Sequence, residues 1–212
     1  MATASQSLFN MTVASDNAGG NQGLLMPKLQ FRFRVNFINF GVDTSSGIQL
    51  TKQVMNVSRP QVQFPEITIP IYNSTLYLAG RYAWQPMTVT LRDDASGTVS
   101  KAVGQQLQKQ LDFVEMSSAA TGQDYKFQTN IEVLDGGNGA NAPNVLETWE
   151  IYGCFIQTAN YNNLDYNTNE PVQIALTLRY DNAIQSPLTQ GVGQAIGRSL
   201  AGSSVTGIGG GS

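Results

Sequence analysis

The 212-residue sequence predicts a mainly β domain, an antiparallel barrel or sandwich with one flanking α-helix and an arm at each terminus. Three observations lead there. Apolar and polar residues alternate over several short runs, the period-two signature of half-buried strands. One stretch, after residue 97, changes to a spacing of three to four, which marks an amphipathic helix. The segments between are dense in Gly, Pro, Asn and Ser, the residues that turns require.

Residues 1–27 mix Ala, Ser, Thr, Asn and Gly without sustained periodicity and read as an arm that needs a partner to hold it. The domain proper spans 28–182. It opens with Leu29, Phe31, Phe33, Val35 and Phe37 alternating with Gln30, Arg32, Arg34 and Asn36. Two arginines on the polar face fit either a solvated face or a subunit or lumen contact. After a turn at 43–47, residues 49–58 suit a second strand, which Arg59-Pro60 interrupts. Pro60, Pro65 and Pro70 then punctuate a run with Val62, Phe64, Ile67, Ile69, Ile71 and Tyr72. Each proline removes a ladder donor, so this run is an extended projecting loop or an edge strand. An apolar edge of that kind is covered by its own domain or by another chain.

A further strand unit runs from Leu76 through Gly80 and Trp84 to Leu91 and ends in Asp93-Asp94. From Thr98, residues Val99, Val103, Leu107, Leu111 and Val114 or Glu115 recur at helical spacing for four or five turns, with Gln105, Gln106, Gln108 and Lys109 on the other sides. Residues 125–133 give a strand through Tyr125, Phe127, Ile131 and Val133, and 135–144 a Gly/Asn loop. The last pair is the longest. Its first arm sets Trp149, Ile151, Gly153 and Phe155 on one side; its second sets Val172, Ile174, Leu176, Leu178 and Tyr180 on one face, with Gln173, Ala175, Thr177 and Arg179 opposite. Residues 183–212 form a glycine-rich extension, in which Ser186 and Pro187 open a short helix bearing Leu188, Val192, Ile196 and Leu200.

Charged residues are 13 % of the chain, while Asn and Gln number 17 and 19. That is about half the usual ~25 % charged share. An amide surface is buried against another chain at lower desolvation cost than ions, provided that its hydrogen bonds are met. A net charge of −3 and no basic stripe argue against tight nucleic-acid wrapping. Cys154 is the single cysteine, which suits a reduced interior, and a regular strand places it opposite Trp149 and Ile151. Neither a signal peptide nor an apolar run of ~20 residues is visible, so no membrane partner is expected.

The chain has no histidine. That removes Ser/His/Asp and Cys/His catalysis and the usual zinc sites, so no catalytic, cofactor or metal residues are assigned. Asp93 and Asp94 stand where acids meet the positive end of the helix dipole. Glu147 and Glu150, three apart on a strand, point to opposite faces and make no acid/base pair. Residues 165–176 open like a calcium loop but carry Glu170 and Leu176 where Gly and an acid are needed. Gly191, Gly193 and Gly197 are spaced one residue too widely for a dinucleotide fingerprint.

Two stretches, 78–94 (LAGRYAWQPMTVTLRDD) and 150–157 (EIYGCFIQ) with 172–181 (VQIALTLRYD), resemble the tail tube proteins of contractile-tailed bacteriophages. The match covers roughly residues 28–182 and rests on patterns of strand, Gly and aromatic. It implies six-fold homo-oligomeric rings stacked into a hollow tube, part of a virion assembled in the bacterial cytoplasm, whose lumen conducts DNA without holding it tightly. Sheath, baseplate, tape-measure and tail terminator proteins are the partners it implies. The family's inter-ring loop corresponds here to Pro60, Phe64, Pro65, Ile67, Ile69 and Tyr72. Gln157, Gln173, Thr177 and Arg179 fall on the lumen or inter-subunit face. The arms at 1–27 and 183–212 have no counterpart in the shorter members, which leaves open a tube-end ring or baseplate tube protein. The tube of a contractile secretion or injection particle shares the same fold. A carbohydrate-binding β-sandwich with Trp84, Trp149 or Tyr161 as stacking platforms is the reading from another class.

Overall fold

The computed structural model describes residues 28–42, 50–135, 143–187, 191–193, 198–200 and 203–205. The arm expected over 1–27, the turn over 43–47, the middle of the 135–144 loop and most of the chain past 187 lie outside the described residues.

The strands are β1 (Phe33–Ile38), β2 (Val54–Val57), β3 (Gln61–Gln63), β4 (Glu66–Ile71), β5 (Ser74–Ala79), β6 (Ala83–Gln85), β7 (Met87–Arg92), β8 (Phe127–Leu134), β9 (Val145–Asn160), β10 (Gln173–Arg179), β11 (Asn182–Pro187), β12 (Arg198–Leu200) and β13 (Ser203–Val205). The helices are α1 (Thr98–Gln110) and α2 (Gly122–Tyr125). One antiparallel sheet runs β1-β8-β9-β10-β7-β2, with β11 also on β9. The fold is mainly β and sandwich-like, but the barrel alternative is not what forms: among the described residues the path is open. Its two end strands, β1 and β2, line a groove of about 740 Å³ instead of pairing.

What folds the sheet over is a corner in β9. Buried positions step by two through Glu147, Trp149 and Ile151, then by three to Cys154, then by two to Ile156. The facing chain does the same: Ile174, Leu176, Leu178 and Tyr180 are buried, then Ala183. The two three-residue steps stand side by side, since Ile151 pairs with Ala183 and the Asp181 N–H donates to Tyr152 O at 3.0 Å. Gly153 makes the bend at φ 67°. A bulged strand pair re-aims both inward faces together, which is how strands turn a sandwich corner.

This corner corrects the regular alternation expected of the first arm. Cys154 is fully buried rather than opposite Trp149 and Ile151, and Phe155 turns outward to half-burial. Burial pushes the Cys154 thiol up to about 11. The second arm alternates as expected from Ile174 to Tyr180, but Val172 precedes β10 and is exposed instead of joining the apolar face; the sheet continues past 182 because β11 pairs with β9. Ser186 and Pro187 therefore belong to a strand and open no helix; 188–190 and 194–197 lie outside the described residues.

Further boundaries differ. β1 starts at Phe33, leaving Leu29 and Phe31 outside it with Phe31 exposed, and Tyr125 ends α2 before β8 starts at Phe127. Residues 50–53 are helical and β2 keeps only Val54–Val57, because Leu50 at 1 % exposure and Val54 both reach the core at helical spacing. Helix α1 ends at Gln110, a turn earlier than expected, where Leu111 becomes extended. Its buried face is Val99, Ala102, Val103 and Gln106. Gln106 was expected on a polar side, yet it is enclosed: its Oε1 accepts the Gly41 N–H at 2.9 Å and its Nε2 donates to Tyr125 O at 2.6 Å. Gln110 acts on β9, donating from Nε2 to Ile156 O and accepting the Ile156 N–H at Oε1, both at 3.0 Å. At the other end of α1, Asp94 accepts the Thr98 N–H at 2.8 Å and the Thr98 hydroxyl at 2.6 Å, and Asp93 accepts the Ser100 hydroxyl. The Thr98 hydroxyl and N–H hold the Asp94 carboxyl below its ordinary value. The acid pair thus caps the helix, as its position before Thr98 suggests.

A candidate assembly surface

Residues 54–92 form one long hairpin arm. Its base, β2 with β7, lies in the sheet; Val57 pairs with Val89, and the Ser58 N–H donates to Thr88 O at 2.9 Å. Gln61 pairs with Gln85 in the next stage, where the Gln85 amide donates to the Gln63 amide at 2.9 Å. Past an elbow at 64–65 and 80–82, β4 and β5 complete the arm to a turn at Tyr72 and Asn73. At strand rise, residues 61–71 alone span roughly 35 Å.

The elbow explains Gly80. Its N–H donates to Pro65 O at 2.7 Å, and a Cβ there would stand 2.7 Å from that oxygen. This bond also sets the phase: counting by twos, the pairs 67/78, 69/76 and 71/74 are the hydrogen-bonded ones. Pro70, opposite Thr75, falls between them, so its missing N–H faces outward and costs the hairpin nothing. The tip turns through Tyr72 at φ 45°, a conformation rarely taken by a side chain of that size.

Every residue of β4 and β5 is exposed. Opposite residues of an antiparallel pair share a face. Ile67, Ile69 and Ile71 therefore lie with Leu78 and Leu76 on one apolar face, each 38–52 % exposed. Glu66, Thr68, Thr75 and Tyr77 occupy the other. Of the expected inter-ring residues, Phe64, Pro65, Ile67, Ile69 and Tyr72 are exposed on this arm, while Pro60 is buried at its root. Trp84 is also rooted there, 5.7 Å from the Tyr180 ring. The β5 half of the arm escaped sequence reading because Leu76 to Trp84 ran on as one strand; the missing signal was the turn at Tyr72.

Gln173, Thr177 and Arg179 share the outer face of β10 with Ala175, all half-buried. Gln157 is exposed in β9, at the register shift where Thr177 pairs with Thr158 but Leu178 with Ile156. Next to them in β7 stand Thr88, Thr90 and the exposed Arg92, which pairs with Gln173, so this outer face is hydroxyl and amide with Arg92 and Arg179 as its charges. Trp84 and Trp149 are each 7 % exposed, which removes them as sugar-stacking platforms and leaves only Tyr161 in the open.

Glu147, 3 % exposed, is the buried acid that sequence reading missed. Its carboxylate accepts from Lys28 Nζ at 2.5 Å, Gln185 Nε2 at 2.7 Å and Trp149 Nε1 at 2.8 Å. Burial pushes it up, but the bonds from Lys28, Gln185 and Trp149 together outweigh burial and hold it below its ordinary value. The cluster pins the first described residue to β9. Among the described residues no group of three or more His, Cys, Asp or Glu is placed to hold a metal, and no helix is long and apolar enough to cross a membrane.

Neither a protein-family model nor a curated protein matches this sequence. Solved structures do. A chain in the six-fold symmetrised baseplate of the anti-feeding prophage aligns with TM-score 0.56 at 14 % identity, over 78 % of this chain and 99 % of that one. A chain in the tube-terminating cap of the anti-feeding prophage gives TM-score 0.56 at 13 % identity, over 82 % and 99 %. A chain in the extended sheath-tube complex of an extracellular contractile injection system gives 0.50 at 16 %, over 76 % and 92 %. At these identities the likeness is one of fold.

Proposed function

We propose that this chain is a structural tube component of a contractile injection assembly, in which the apolar face of the β4–β5 arm docks on an adjacent copy. The observation that carries the reading is the arm itself. A two-stranded hairpin alone is marginal in water, and monomers rarely expose an apolar face of this extent. The fold shared with chains of such assemblies supports it.

The finer reading is a phage tail tube of stacked hexameric rings whose lumen passes DNA, with sheath, baseplate, tape-measure and terminator proteins as partners. The outer face around Gln173 and Thr177 is mostly amide and hydroxyl, and two arginines, Arg92 and Arg179, are too few to retain phosphate tightly, which suits a channel wall. A tube-end ring or baseplate position uses the same arm.

The test is Ile67→Asp in the full chain. Ile67 is 51 % exposed, so the variant should keep the wild-type circular dichroism and thermal midpoint. Buried at a contact, the new charge should abolish tubes or stacked rings in electron micrographs. Wild-type protein that stays monomeric at high concentration would overturn the proposal.

A further inference from the structure

We infer that the loop 161–172 is the surface that receives the arm's elbow from a second copy of this chain; the inference rests on the tube reading above. Topology puts the two at opposite ends of the same strands. The arm leaves the sheet where β7 begins, at Met87, whereas the loop closes the end where β7 finishes, since the Asp93 N–H donates to Val172 O at 2.9 Å. Copies related by translation along the strands therefore bring elbow against loop.

Their chemistry is complementary. The elbow presents Phe64 and Tyr82, 56 % and 55 % exposed with ring centroids 6.3 Å apart, beside Arg81. The loop presents Leu164 at 82 % and Tyr166 at 108 % exposure. It carries two acids, Asp165 and Glu170, and no Lys or Arg, whereas residues 59–82 carry Arg59 and Arg81 against Glu66. Arg81 and Glu170 have no ion pair among the described residues. The loop also encloses a hollow of about 520 Å³, lined by Leu164, Tyr166, Pro171 and Val172 among others, of the size that takes a bound ring. A patch that fits a different patch on the next copy makes a heterologous contact, which does not close on a pair and so propagates.

Charge reversal with rescue tests it in the full chain, read as the protein concentration at which polymer appears by light scattering and electron microscopy. Arg81→Glu, and separately Asp165→Lys with Glu170→Lys, should each raise that concentration about tenfold or more. The triple variant should return it to about the wild-type value. Circular dichroism confirms that each variant is folded. Polymer formation unaffected by the loop reversal, or a triple variant no better than its parents, would overturn this acceptor. If Ile67→Asp still blocked growth, the tube reading would stand with another acceptor. Failure of the wild type to polymerise would overturn both.

Discussion

Gly153 shows how much one residue decides. It holds φ 67°, and an added Cβ would meet Asp181 Oδ2 at 2.2 Å. Gly153→Ala should therefore cost roughly 1–3 kcal/mol, seen as a lower urea midpoint at unchanged m-value. Adding Asp181→Ala should remove the clash and leave the left-handed backbone strain of roughly 1–2 kcal/mol. An unchanged midpoint in Gly153→Ala would show that the corner does not depend on this glycine. Glu147 gives a second expectation. Its folded pKa is depressed below the ordinary glutamate 4.5, so its contribution is complete above that value and fades as pH falls through the folded value. The thermal midpoint should thus drop on acidification below about pH 4.5, and Glu147→Gln should lose part of that dependence. Parallel pH profiles for the two proteins would contradict this.

Between elements, the arm is separable from the body in a way that the corner is not. Phe64, Ile67 and Tyr72 are exposed, whereas Pro60 and Trp84 are rooted in the core. Replacing 64–82 by a two-residue turn between β3 and β6 should leave stability within about 0.5 kcal/mol, since exposed positions contribute little. Sedimentation should then show no species larger than a ring. A large loss of stability would instead tie the arm to the subunit core. The same contrast explains what was legible in the sequence. β10 alternates without interruption, so Ile174 to Tyr180 read correctly; β9 alternates on both sides of a bend that only φ at Gly153 reveals. Prolines marked the arm as lying outside the sheet, yet its return strand was hidden because Tyr72 is no turn former. Glu147 and Gln106 were unreadable for another reason: their partners Lys28, Gln185, Gly41 and Tyr125 are distant in sequence.

At the scale of the molecule, β order and the single long helix followed from periodicity, while open path against closed barrel was set by where β1 and β2 stop, which periodicity does not encode. The chain presents three kinds of surface: an apolar arm at one end, an acidic loop at the other, and between them an amide and hydroxyl wall with Arg92 and Arg179 on it. On the proposed tube reading, growth along the strands uses the first two and leaves the wall free. Sideways growth is the hazard, because among the described residues the far half of β9 has β10 on one side and no strand on the other. There the Gln110 side chain matters beyond the packing of α1. By occupying both backbone groups of Ile156, it imitates a neighbouring strand for one residue and interrupts the template that a foreign chain would need. On the proposed tube reading, Gln110 would then also guard against aggregation, letting copies accumulate in solution without sticking through the wrong edge.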